Sequence, residues 1–101
     1  MSNKKKHIYI IENKLLNLIK IGITDNISRR IRQLECSSGC KLKLYHSTEL
    51  LNHAKQIEKS LHHYFILKRK EGEYFAIAPE EVKETLLFVI ENLTKIHQQN
   101  I

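Results

Sequence analysis

Two short apolar runs near the start, His7-Ile8-Tyr9-Ile10-Ile11 and Leu18-Ile19-Lys20-Ile21-Gly22-Ile23, alternate with a period of two and lie a turn's length apart. Successive strand side chains point to opposite faces, so Ile8 and Ile10 share one face with Ile19, Ile21 and Ile23. The spacing predicts an antiparallel hairpin with strands over 6–12 and 18–24 and a turn in Asn13 to Asn17. The isoleucine face is the expected core. The other face carries Tyr9, Lys20 and Gly22, a polar cluster over a rigid apolar floor, and is therefore a candidate site.

Asp25 or Asn26 is placed to cap a helix, and Ile27, Ile31 and Leu34 form its apolar stripe, expected to cover the hairpin's isoleucine face. At ~100° per residue Arg30 falls about 70° from the centre of that stripe, at the edge of the core, while Arg29 and Arg32 turn toward water. Gly39 breaks a loop over 37–41. Leu42-Lys43-Leu44-Tyr45 reads as a third strand with Leu42 and Leu44 inward and Tyr45 on the face of Lys43.

A second helix is expected over 52–67, burying Ala54, Ile57, Leu61, Tyr64 and Phe65. Glu58 lies inside this stripe, and a lone buried carboxylate costs several kcal/mol, so it requires a cation. His62, one turn on, shares its side; His63 faces away. Lys68-Arg69-Lys70 is a basic run at the C-terminal end of the helix, favourable with its dipole. Gly72 turns the chain and Tyr74-Phe75-Ala76-Ile77 returns against the core. Pro79, with Glu80 and Glu81 behind it, starts a last helix over 79–98 whose stripe is Val82, Leu86, Val89, Ile90 and Leu93, polar past Thr94. Residues 1–6 read as a flexible basic leader. The fold class is α+β: a small three-stranded antiparallel sheet flanked by helices, with a C-terminal helix.

At 101 residues the chain is expected to be a single domain with one small core. Seventeen Lys and Arg against eleven Asp and Glu give a net charge of +6, which favours a polyanionic partner without choosing DNA, RNA or an acidic protein. No apolar run approaches the ~18 residues of a membrane span, and Lys4-Lys5-Lys6 leads into a strand and not a signal-type core, so no membrane and a cytoplasmic or other intracellular setting are expected. Cys36 and Cys40 are expected as free thiols; zinc would need further ligands, and His46 and His53 lack a finger-like spacing from them.

The Ile-Tyr strand, the second strand ending Lys20-Ile21-Gly22, Arg30 eight residues after that Gly, Glu58 in the next helix and Gly72-Glu73-Tyr74-Phe75 together resemble the GIY-YIG nuclease superfamily. The similarity is to its small stand-alone branch of phage and large DNA viruses with a Lys-Ile-Gly second motif, and it spans residues 7–80. It implies a metal-dependent endonuclease acting on DNA, phage- or virus-encoded or nuclear in a eukaryote, and leaves a homodimer open. Carried over residue by residue, it makes Glu58 the ligand of one Mg²⁺ or Mn²⁺, Arg30 the clamp on a phosphate oxygen and Tyr9 the general base, with Lys20 across the hairpin as the cation that favours its phenolate. Arg29, Arg32, Lys68, Arg69 and Lys70 then read as DNA-backbone contacts. His7 stands where the first motif has Gly, Lys20 where the second has Tyr, Leu34 where many members carry His or Tyr, and no Asn follows Phe75 before Asn92; His62 is the candidate substitute. A catalytically inert module that binds nucleic acid or a partner on the same fold, or a zinc-bound adaptor, are the alternatives.

Overall fold

The computed structural model describes residues 4–99, with side chains through Leu93. The hairpin forms as its alternation requires, β1 (His7–Asn13) against β2 (Leu18–Thr24), with Tyr9 opposite Gly22 and Ile11 opposite Lys20. Asn13 Oδ1 accepts from the Leu16 amide at 3.0 Å, and Asn17 takes φ 56°, a left-handed conformation that asparagine tolerates.

The remaining elements are α1 (Ile27–Ser38), β3 (Lys43–Ser47), α2 (Ala54–Tyr64), a single 3-10 turn (Ile66–Lys68), β4 (Arg69–Glu71), β5 (Tyr74–Phe75) and α3 (Pro79–Gln99). The class is α+β, but the sheet is larger than the three strands expected: it has five, in the order β3-β1-β2-β5-β4, each pairing antiparallel. The sequence around Gly72 (φ 57°) conceals a small hairpin, because β4 and β5 are too short for alternation to show. Lys68-Arg69-Lys70 consequently straddles a 3-10 turn and an edge strand instead of ending a helix.

One core cluster joins Ile8, Ile10, Ile19 and Ile21 of the hairpin to Ala54, Ile57 and Leu61 of α2, Phe65, Phe75, and Val82 and Leu86 of α3. Val89, Ile90 and Leu93 pack on it as their spacing predicts. The isoleucine face is thus covered by α2 and α3 and not by α1, which overturns one expectation. Ile27, Ile31 and Leu34 of α1 stay only half-buried and outside that cluster, and α1 is tied instead to the opposite face through Arg30 and Tyr9. Asn26 caps α1, its Oδ1 accepting from the Arg29 amide at 3.0 Å, and Gly39 ends it at φ 72°.

Three further corrections are local. A bulge between Ile10 and Ile11 sets His46 opposite Ile10 and Leu44 opposite Ile11, so Leu44 is 37 % exposed and Tyr45 is the β3 residue that packs on the core. Tyr64, expected inside, is 69 % exposed because α2 ends there and the chain turns to bury Phe65. Lys6, assigned to the leader, exchanges two backbone hydrogen bonds with Leu51, at 3.1 and 2.8 Å. Lys4 and Lys5 are exposed and belong to no strand or helix, and residues 1–3 lie outside the described residues. Among the described residues no helix is long and apolar enough to cross a membrane.

Candidate functional site

The site starts from a steric fact of the hairpin. Tyr9 and Gly22 are cross-strand partners, and the hydroxyl end of the Tyr9 ring occupies the space beside the glycine: a Cβ at position 22 would stand 2.5 Å from Tyr9 Cζ and 3.0 Å from Cε1, closer still to the hydroxyl. The ring is pinned, with 1 % of Tyr9 exposed. Its hydroxyl accepts a hydrogen bond from Arg30 Nε at 3.4 Å, and the Arg30 head is also braced by Gln33 at 3.5 Å. Of the three arginines of α1, Arg30, at the edge of the apolar stripe, is the one bonded to Tyr9.

Burial raises the Tyr9 phenol above its ordinary value; the Arg30 hydrogen bond and charge oppose this, and the charges of Glu73 and Glu58 add to it. The hydroxyl is therefore a protonated phenol in neutral solution. The hydrogen bond to Tyr9 in turn strengthens the hold of Arg30 on its proton.

Lys20 shares the Tyr9 face, but its ammonium is committed elsewhere. It pairs with Glu73 at 3.0 Å and lies 5.0 Å from the centre of the Tyr74 ring. The cation at the phenol is Arg30, so the assignment of Lys20 as the activator of Tyr9 does not match the geometry.

Glu58 is half-buried on α2, beside the buried Ile57. Burial first, then the charge of Glu73, push its carboxyl above the ordinary range, while His62, Lys20 and Lys55 pull the other way without prevailing. Among the described residues neither Arg30 nor Lys20 forms an ion pair with it, so the salt-bridge reading of this carboxylate finds no partner. His62 is fixed from the other side: Nε2 donates to the Ile21 carbonyl at 2.9 Å, and the ring meets Phe75 edge-on at 5.1 Å between centres. A carbonyl only accepts, so the Nε2 proton is committed to β2 and His62 fastens α2 to the strand between Lys20 and Gly22.

Could this cluster hold a divalent cation? Among the described residues no group of three His, Cys, Asp or Glu is disposed to cage one. Mg²⁺ does not need a cage: it keeps several waters and is held by one or two carboxylates together with substrate phosphate. A half-buried carboxylate that no described cation pairs with, feeling the charge of a second carboxylate, Glu73, fits that mode. Cys36 and Cys40 are free thiols.

Residues 6–90 match the T5orf172 domain. This chain belongs to the T5orf172 domain family. T5orf172 domains are phage-associated and related to nuclease folds, and the matched span contains Tyr9, Lys20, Arg30, Glu58, His62 and Glu73. No curated protein and no solved structure gives a significant match.

Of the basic residues expected to meet a polyanion on this T5orf172 domain, Arg29 is paired with Asp25 at 2.8 Å and Arg69 Nε donates to the Gly72 carbonyl, closing the β4–β5 turn. Arg32, Lys68 and Lys70 are exposed. The residue missed in the sequence is Glu73, whose charge is felt by Tyr9, Arg30 and Glu58 alike. Its signal was Lys20: a lysine in an apolar strand needs an anion, and Glu73 follows the turn glycine of the segment that returns to the core.

Proposed function

We propose that this T5orf172 domain is a GIY-YIG-type endonuclease that hydrolyses DNA phosphodiester bonds with a divalent metal, Mg²⁺ or Mn²⁺. The observation that carries the reading is the Tyr9–Arg30 hydrogen bond over Gly22, within electrostatic range of the unpaired carboxylate of Glu58. Phosphodiester hydrolysis needs a deprotonated water, charge on the non-bridging oxygens neutralised, and a stabilised leaving oxygen. Glu58 would hold the cation, which when bound supplies Lewis-acid stabilisation of the phosphate. Arg30 clamps a non-bridging oxygen with the guanidinium nitrogens that Tyr9 leaves free. Tyr9 first gives its phenolic proton to solvent; the phenolate then takes the proton of the attacking water and returns to the neutral phenol, and the Arg30 guanidinium, in place of Lys20, offsets the charge of the phenolate. His62 keeps α2, and with it Glu58, docked on β2.

The deciding experiment is a divalent-metal-dependent cleavage assay on single-stranded, duplex and branched DNA, wild type against Tyr9→Phe. A base that titrates above its ordinary value of 10.0 is mostly protonated at neutral pH. The rate should therefore rise about tenfold per pH unit through the neutral and mildly alkaline range. Tyr9→Phe should lower it by about 10²–10⁴-fold and flatten the profile. Arg30→Ala should move the rise to higher pH, whereas Lys20→Ala should leave its position unchanged. A Tyr9→Phe protein of full activity would assign the deprotonation to another group.

One observation favours the alternative, an inert nucleic-acid-binding module: burial holds Tyr9 as a phenol. Both readings share the +6 surplus and hence mainly electrostatic binding. Each neutralised phosphate of duplex DNA contributes roughly −0.9 to the slope of log K against log salt. Affinity measured by fluorescence anisotropy should fall steeply with salt and vary little with sequence; salt-insensitive, sequence-selective binding would contradict it.

A further inference from the structure

Lys20 is the one lysine or arginine in the buried class among the described residues, with 9 % of its side chain exposed, and its only ion-pair partner there is Glu73, whose side chain is 41 % exposed. An ammonium on a four-carbon stem is mobile in water, and its burial without an anion would be strongly unfavourable. Glu73 meets both conditions from a fixed base. Its carbonyl accepts from the Ile21 amide at 3.4 Å, one residue from Lys20, and the next residue, Tyr74, pairs with Lys20 in the sheet and sets its ring beside the ammonium. On the other side of Glu73, Gly72 is locked at φ 57° with its carbonyl held by Arg69. The carboxylate therefore projects from a closed turn onto the Tyr9 face, where Arg30 is the other cation.

We propose that Glu73 is a positioning residue of this site: its carboxylate holds the Lys20 ammonium in one place on the Tyr9 face, so that Lys20 and Arg30 form a preset pair of cations for the DNA phosphate. This rests on the nuclease reading. It assigns a use to the lysine that stands at the second motif, a use other than activating Tyr9. Lys20 touches substrate, and Glu73 acts through it. Because the ammonium is preset, its contribution belongs to the reacting complex and not merely to DNA affinity.

The test compares wild type, Glu73→Gln, Glu73→Asp, Lys20→Met and the Lys20→Met/Glu73→Gln double variant in the full chain. Two readouts are taken: kcat and KM for DNA cleavage, and the side-chain ammonium signal of Lys20 by lysine-¹⁵Nζ NMR on the DNA-free protein. Glu73→Gln should lower kcat by about 10- to 100-fold with a smaller change in KM, as expected when a reacting group is displaced by about an ångström. Glu73→Asp, which keeps the charge, should recover part of this. In the Lys20→Met background the same Glu73→Gln change should no longer lower kcat, since the interaction is already absent and the Glu73 charge otherwise only opposes the Tyr9 phenolate. The Lys20 ammonium signal, slowed in exchange by its partner, should be seen in wild type and lost in Glu73→Gln. An equal loss of kcat in both backgrounds, a loss of thermal stability with kcat unchanged, or an ammonium signal that survives Glu73→Gln overturns the proposal. A wild type that binds DNA but cleaves none with any metal rejects the nuclease reading instead, and the NMR comparison then decides alone whether Glu73 holds Lys20.

Discussion

Glu58→Gln should abolish most DNA cleavage while leaving the protein folded and, at neutral pH, more stable than wild type. The two expectations come from one property: Glu58 is a half-buried carboxylate that no described cation pairs with. Gln keeps the shape and one oxygen but loses the charge that a divalent cation requires. If that cation contributes several kcal/mol of phosphate stabilisation, its loss corresponds to about 10²–10³-fold or more in rate. DNA binding should persist or tighten, because a charge that repels phosphate has gone. The stability effect has a definite sign. The folded-state pKa of Glu58 is raised above the ordinary 4.5, so the stability linked to it is fully present below that ordinary value and is lost as pH rises through the folded-state value. Gln does not titrate. The difference in denaturant midpoint should thus shift in favour of the variant on going from acid to neutral pH. A variant that unfolds more easily at neutral pH yet still cleaves would make Glu58 a structural residue and remove the metal from the proposal.

Most of the fold was legible because most of it is periodic. Period two across Ile8, Ile10, Ile19 and Ile21, and helical spacing through Ile57, Leu61, Val82 and Leu86, each select a face, and those faces meet in one cluster. What was not legible has particular causes. Periodicity says that the α1 stripe is apolar but not which face of the sheet it meets. With Tyr9 and Ile11 also buried, the hairpin has two buried faces, and α2 and α3, later in the chain, take the isoleucine side. The β3 register was inverted by a bulge, which inserts a residue without any mark in the alternation. Strands of three and two residues, β4 and β5, are shorter than any periodic signal.

At the site the pattern repeats. Arg30 and Glu58 could be singled out from the wheel, since a charged residue at the edge of or inside an apolar stripe is a local anomaly. For Lys20 the apolar strand signals only that an anion is needed, not which one, because Glu73 lies fifty-three positions along the chain, on the far side of a strand pairing that the sequence conceals. Lys20 and Tyr9 were therefore coupled by proximity on one face, when the ammonium is drawn toward β5 and the phenol toward α1.

Gly22→Ala should be as damaging to the site as the loss of Glu58, for a steric reason. The backbone at Gly22 has none of the left-handed geometry seen at Gly39 and Gly72, so conformational freedom is not what the glycine provides. By propensity alone, alanine in a strand interior should gain about 0.5–1 kcal/mol over glycine. Against this stands the new methyl group, 2.5 Å from Tyr9 Cζ, where the ring is 1 % exposed and has no free space to swing into. Overpacking of that kind costs about 1–3 kcal/mol, so the clash prevails and the variant should melt several degrees lower. The ring can yield only by leaving the strand, which breaks the hydrogen bond from Arg30 and displaces both groups from the phosphate, and cleavage should fall by about 10²-fold. The cause can be isolated. In a Tyr9→Leu background, with the ring gone, Gly22→Ala should cost little or even stabilise. If thermal melts give the same loss in both backgrounds, the ring does not require the glycine, and the pairing of Tyr9 with Gly22 is not what sets the geometry of the site.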